Sequence, residues 1–393
     1  MRLINAPTFI PAYLYMLAGT DAAVGIARGL QYLGMLLSPF LGATLIEHRR
    51  RVVGVSIWNG ALMRVQILGL ALAGIFLPDP WRLFATCAFL MGFGFFLGIQ
   101  GVAFNMLVSK VIPVAHRGFL LGLRMALSGV TAAVVAVLAG TYLVDSNVLG
   151  NGYAATFLVA FGLTSTGLAM LLFVVEPPSP TVREPSRVSE RLRELPALLR
   201  SDKGFTRYFQ ARALATMGRM AVPFYVIYAK DRMDLGGSEL GQLTAAFVIA
   251  QSVTNLAWGS IADRRGFRFV FLAALALWIL AVLLLMETDD FRGVLAVFAV
   301  LGAGLGGFQF AAQNLVLEFG SRRNLPMRIA VANTASEAVA AVGAVAGGLL
   351  AALFSYVALF WIAIVFQLGA LVVVFWFVEE PRTNPRRGGA SNA

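Results

Sequence analysis

One cysteine, Cys87, and two histidines, His48 and His116, are all that 393 residues hold of the side chains that build disulfides, thiolate metal sites and imidazole-based catalytic centres. A lone thiol excludes an internal disulfide, and two histidines in expected loops leave no buried site for a zinc ion or a catalytic triad. Charge is scarce too: 13% of the residues are Asp, Glu, Lys or Arg, where soluble domains carry roughly a quarter. No enzyme chemistry and no cofactor is expected from such a set.

What fills the space is apolar. Hydrophobic residues make up 59% of the chain and mean hydropathy is +0.79, more than a soluble core can absorb. Runs of about twenty apolar residues recur, each long enough to cross about 30 Å of hydrocarbon at 1.5 Å per residue. Twelve spans are expected, near 2–18, 22–46, 53–77, 81–108, 118–143 and 152–175, then 205–229, 238–262, 269–287, 293–318, 327–353 and 355–378. Between the sets lies 176–204, with Pro177, Pro178, Pro180, Pro185 and Pro196 and mixed charge, which suits a polar linker with an amphipathic surface helix near Ser189 to Leu199. The polar tail 379–393 reads as disordered. The first span is two turns shorter than its counterpart, and an upstream start or a truncation is expected to explain it. It lacks a basic head and a small-residue cleavage site, so it does not read as a signal peptide.

The twelve spans fall into two related sixes. Gly259 to Arg268 reads G-S-I-A-D-R-R-G-F-R, a polar turn between two long apolar runs, with Gly266 free to bend sharply. Shifted back by 216 residues, Asp263 meets Glu47, Gly241 meets Gly25, and the basic run Arg49 to Arg51 meets Arg265 and its successors. P-A-Y-L-Y at Pro11 matches P-F-Y-V-I-Y at Pro223. This is one chain built from two related halves.

The second-half decapeptide resembles the G-x-x-x-D-R-x-G-x-R loop of the major facilitator superfamily at Gly259, Asp263, Arg264, Gly266 and Arg268. In the first half Glu47 stands for Asp, Arg50 for the turn Gly and Ala43 for the leading Gly. The resemblance implies an all-α polytopic fold of two six-helix bundles, 1–175 and 205–378, moving a solute by alternating access around a central cavity. It also implies a conformational gate at Asp263 and its neighbours, with Glu47 as the weaker copy. The Gly-Pro pair of the family's antiporter signature is missing from Gly129 to Gly140.

Net charge is +11, yet the basic residues sit in alternate loops, the linker and the tail. Only Arg82, Lys230, Arg232 and Arg292 fall on the other side. That asymmetry orients a membrane protein and gives no nucleic-acid patch. The basic side, linker and C-terminus are expected in the cytoplasm of a bacterial plasma membrane.

Charge at membrane depth marks sites, since a central Arg or Asp costs about 2.5 to 3.5 kcal/mol on insertion scales. Arg28, Arg64, Arg124, Arg212 and Arg219 lie in spans against only Glu318 and Glu337. Arg28, Arg124 and Arg212 are near enough to span ends to snorkel, and Arg64 reads as a structural bond to carbonyls. Arg219 shares a helical face with Arg212, Thr216 and Pro223 and is the expected anchor for a carboxylate or phosphate, or else the ion-pair partner of Glu337.

Glu337 is the expected proton-coupling group, because low-dielectric surroundings favour the neutral carboxyl while a nearby guanidinium favours the carboxylate. Gln100 and Asn105 in span four recur as Gln309 and Asn314 in span ten. The resemblance implies that one or both pairs line the cavity; otherwise they bond helix to helix. Gln251 and Asn255 in span eight join the expected substrate set.

The function expected is therefore secondary transport of a small organic solute by a monomer in the bilayer. Proton coupling is expected, with a slight preference for anionic or amphipathic substrates. Hydrophobic-drug export is a rival substrate class, and a non-transporting receptor-like or scaffolding protein of the same fold is the alternative.

Overall fold

The structure, a computed structural model, describes residues 2–112, 114–177, 203–319 and 325–378. The linker helix expected near Ser189 to Leu199 and the tail lie outside them. Every long element among the described residues is helical, and nine helices are long and apolar enough to cross a membrane.

One of the nine, Gly237–Glu287, holds two crossings, because Gly266 at φ 82° interrupts it. Trp258 and Ala274, equally far from Gly266 in sequence, both approach Gly307. In an unbroken helix they would stand about 24 Å apart. The chain therefore reverses at the polar turn, as the glycine there requires. The two remaining crossings are the broken segments that open each half.

Those breaks have one cause. Proline lacks an N–H and its ring collides with the carbonyl four residues earlier. In the first span Pro7 stands in the gap between Arg2–Asn5 and Phe9–Ala18 and Pro11 in the first turn after it, while Pro223, the counterpart of Pro11, interrupts the seventh between Lys203–Met217 and Phe224–Arg232, with a tight 3-10 turn over Gly218–Ala221. Pro11 and Pro223 occupy equivalent places in the repeat, so each half opens with a span bent at the same point.

At the end away from the basic loops, short polar residues start the helices. Asn151 accepts the Ala154 amide at 3.2 Å, Asp290 that of Gly293 at 3.1 Å and Ser355 that of Ala358 at 3.1 Å. At the basic end Glu176 ties the first half together. Its carboxylate accepts the amides of Val52 and Val53 at 2.7 and 2.8 Å and the Lys110 ammonium at 2.8 Å.

The halves meet through span two (Asp21–Glu47) against span eleven (Leu325–Leu353), and through span five (Val114–Leu138, continued as a π-helix over Ala139–Val144) against the first part of Gly237–Glu287. Gly25 lies at the first crossing and Gly241 at the second. A Cβ on Gly25 would fall 2.5 Å from the Ala344 carbonyl oxygen, and one on Gly241 would fall 2.6 Å from that of Ala136. The two glycines matched by the repeat thus do the same work on opposite sides of the molecule.

Across the same end, Tyr356 donates to Asp21 at 2.8 Å and Thr8 donates to Thr244 at 2.6 Å, Thr244 in turn donating to Leu240 O. Hydrogen bonds joining the halves between described residues run from mid-depth, at Arg2 with Ser252 and Arg219 with Tyr32, toward this end.

Candidate functional site

Between the halves lies a cavity of about 280 Å³. Pro223 sets its key residue. By displacing the carbonyl of Arg219 from the helical ladder, the proline turns span seven there, and Arg219 projects from the 3-10 turn into the cavity. Its Nη2 donates to the Tyr32 hydroxyl at 3.2 Å, and its guanidinium carbon stands 5.1 Å from the centre of the Tyr32 ring.

About two turns below, Arg212 is buried. Its Nη2 donates to Asn333 Oδ1 at 2.8 Å and its Nη1 to Ala312 O at 3.3 Å, beside the Tyr208 hydroxyl, which donates to the same carbonyl. Arg28, 5% exposed, completes the basic wall. Its Nη1 donates to Gln31 Oε1 at 2.7 Å, and its Nη2 reaches Ala6 O at 3.2 Å, a carbonyl freed by the break in span one.

Snorkelling is therefore corrected for Arg28 and Arg212. Both turn inward to acceptors on neighbouring spans: Arg28 to a carbonyl at the break in span one, Arg212 to the Ala312 carbonyl of span ten and the Asn333 side chain of span eleven. Arg64 donates to Thr164 O at 2.7 Å and Gly60 O at 2.8 Å, away from the cavity, as a structural bond should.

Among the described residues Glu337 is the one carboxylate on the wall of this cavity, the inner of two. Its Oε2 is buried and accepts no hydrogen bond, and neither Arg219 nor Arg212 pairs with it within 4.0 Å, although both act on it electrostatically. The permanent Arg219–Glu337 ion pair is thus not formed here; Tyr32 holds Arg219 instead. Protonated or not, Glu337 leaves the wall with a net positive charge.

The other expected residues divide. Gln309 lines this cavity and also a neighbouring one of about 390 Å³, whose walls include Gln251 and Asn255. Gln100 and Asn105 line neither: Gln100 accepts from Asn59 Nδ2 at 2.9 Å, a bond between spans three and four, and Asn105 is exposed. Asn314 donates to Phe310 O of its own helix at 2.8 Å.

At the basic turn Asp263 is exposed and makes no hydrogen bond or ion pair among the described residues. Arg264 is exposed as well, and a Cβ on Gly259 would meet nothing nearer than the Phe310 ring at 3.9 Å. Arg268 holds span twelve by donating to Val374 O at 3.2 Å and Phe375 O at 2.6 Å. The side chain of Glu47 lies outside what is described.

Tyr32, Gln31 and Gln313 are cavity residues that the sequence reading passed over. A signal existed: Gln31 and Tyr32 follow Arg28 at helical i+3 and i+4, and Gln313 follows Gln309 at i+4.

The profile of the Major Facilitator Superfamily matches residues 2–209 and 208–393. The chain belongs to that superfamily. Among solved structures it is similar to a point mutant of the nucleoside transporter NupG, with a TM-score of 0.72 at 12% identity over 93% of each chain. It is also similar to a D-xylose-proton symporter, with a TM-score of 0.70 at 14% identity over 96% of this chain and 92% of that one. No curated protein matches. At these identities the likeness shows the fold alone. The superfamily member is an integral membrane protein with the architecture of a secondary transporter.

Proposed function

We propose that the chain carries a small organic anion through the inner cavity by alternating access, with a proton taken up and released at Glu337. The observation behind this reading is the charge balance of the wall, where Arg28, Arg212 and Arg219 face one carboxyl. A neutral or cationic solute gives no return for three desolvated guanidiniums, whereas a carboxylate or phosphate accepts their N–H groups in pairs. Arg219 is the anchor, since a single hydroxyl occupies it and four of its donors remain for a ligand.

By the positive-inside rule the basic end faces the cytoplasm of a bacterial plasma membrane. On that reading the halves close at the outer face, and the cavity is reached from inside. The unpartnered Asp263 fits the same state, in which a gate at that turn is released.

Purified protein in proteoliposomes tests this. Radiolabelled organic anions are expected to exchange, and Arg219→Gln is expected to lower exchange by about 10- to 100-fold, the loss of one charged hydrogen-bonding group. Nucleosides and D-xylose, the solutes named for the two structural relatives, serve as uncharged polar controls. Preference for these, or for lipophilic cations, removes the anion assignment. No flux of any solute overturns transport and leaves a receptor-like or scaffolding role.

A further inference from the structure

The neighbouring cavity of about 390 Å³ opens between Arg2, Arg124 and Ser128 of the first half and Gln251, Asn255 and Gln313 of the second. Among the described residues no carboxylate lines it, in contrast to the inner cavity with Glu337. Its two guanidiniums lie close enough to repel each other. Arg2 is committed: Nη1 donates to Ser252 Oγ at 2.6 Å and Nη2 to Met125 O at 3.2 Å.

Arg124 is not committed. It makes no hydrogen bond or ion pair among the described residues, and its guanidinium carbon is held 4.2 Å from the centre of the Phe104 ring, which fixes its position without using its donors. Beside it Asn255 Oδ1 is buried and accepts nothing. Two cations, the unused N–H donors of the exposed Arg124 and the unbonded Asn255 oxygen face one space, a set complementary to an oxyanion that carries a neighbouring hydroxyl.

We propose that this neighbouring cavity is a second anion site, one that takes a dianionic oxyanion group, and that a single substrate spans both cavities across Gln309 and Gln313. The inference rests on the transport reading above and deepens it. The doubly charged end belongs in the neighbouring cavity, because there no carboxyl among the described residues opposes it and two guanidiniums share it. The inner cavity, with Glu337 on its wall, takes the less charged remainder. A hydroxyl near the oxyanion would satisfy Asn255.

Sulfate and methyl sulfate, alike in shape and differing by one charge, separate the sites. Binding to the purified protein is read by calorimetry at fixed ionic strength. Wild type is expected to prefer sulfate by about tenfold. Arg124→Gln is expected to erase that preference, Arg124→Lys to keep part of it, and Arg219→Gln to leave it intact. Ser128→Asp, which adds the missing negative charge without touching either arginine, is expected to abolish the preference too and serves if Arg124→Gln does not fold. Equal binding of the two anions by wild type, or a preference that survives Arg124→Gln or Ser128→Asp, overturns the second site. If in that case Arg219→Gln still weakens both anions, the inner-cavity reading stands by itself.

Discussion

Asp145, at the end of span five, caps a helix that belongs to the other half: its carboxylate accepts the Gly237 amide and, at 2.9 Å, that of Ser238, the first residues of Gly237–Glu287. Unpaired N–H groups and the helix dipole make that terminus a site for negative charge. Here the charge comes across the interface and so helps hold the two halves closed at this end. Replacing it with Asn removes the charge but keeps the shape. Bonds to charged groups contribute about 1.5 to 3 kcal/mol, and about 1.4 kcal/mol shifts a two-state ratio tenfold. In a Cys87→Ser background, spin labels at the exposed positions Tyr142 and Asp289 are expected to show a longer-distance population that grows in Asp145→Asn. An unchanged distribution would show that the cap is incidental to closure.

Gly25 and Gly241 give a second test of the same closure. Each leaves no room for a methyl group against the backbone of the opposite half, and backbone cannot rotate aside as a side chain can. Gly25→Ala and Gly241→Ala are each expected to push the halves apart at this end and to lower exchange, with little change in melting temperature, because the packing within each half is untouched. A cysteine placed at Thr141, which touches Ser238 in the closed state, is expected to react faster with a membrane-impermeant maleimide in both variants. Equal rates in parent and variants would place the glycines outside the moving contact.

Much of this was legible in the sequence. Apolar length gave the spans to within a few residues, as at 53–77 against Val53–Phe76, because a bilayer imposes that length on any helix that crosses it. The repeat pointed to Gly25 and Gly241, and the proline match to equivalent breaks. The fate of individual polar groups was less legible. Gln100 and Gln309 read alike along their helices, yet one faces Asn59 and the other the cavity. Which neighbour a helix face meets is set by tertiary rotation, which spacing does not encode. Arg28 and Arg212 were misjudged for a related reason. Distance to a span end says nothing about the acceptors that neighbouring helices turn toward the side chain, Ala6 O for Arg28 and Ala312 O with Asn333 Oδ1 for Arg212.

Glu176 offers a pH signature that is independent of transport. Burial favours its neutral form, but the Lys110 ammonium and the amides of Val53 and Val52 outweigh burial and hold the carboxyl below its ordinary value of 4.5. The folded state therefore gives up this proton more readily than the unfolded state does. Its contribution to stability is complete above the ordinary value and is lost as pH falls through 4.5 toward the lower folded value. Melting temperature in detergent, followed from neutral pH down to about pH 3, is expected to fall more steeply in wild type than in Glu176→Gln, which starts lower. Parallel curves would mean that the Lys110–Glu176 pair does not bear on stability.

Glu337 carries the coupling proposal, and its geometry separates two kinds of loss. A carboxyl with one buried, unbonded oxygen, within electrostatic reach of Arg219 and Arg212, changes its proton affinity when either arginine changes partner. An arriving anion supplies such a change: by taking the guanidinium of Arg219 it weakens the field that favours the carboxylate, and Glu337 then binds a proton more readily. Glu337→Gln mimics the protonated form permanently. Exchange of substrate across the membrane needs only the loaded carrier and is expected to persist in this variant, while accumulation driven by an imposed pH gradient is expected to vanish. Exchange and accumulation falling together would assign Glu337 to binding or folding instead of coupling. Accumulation that survives the substitution would move the coupling proton elsewhere.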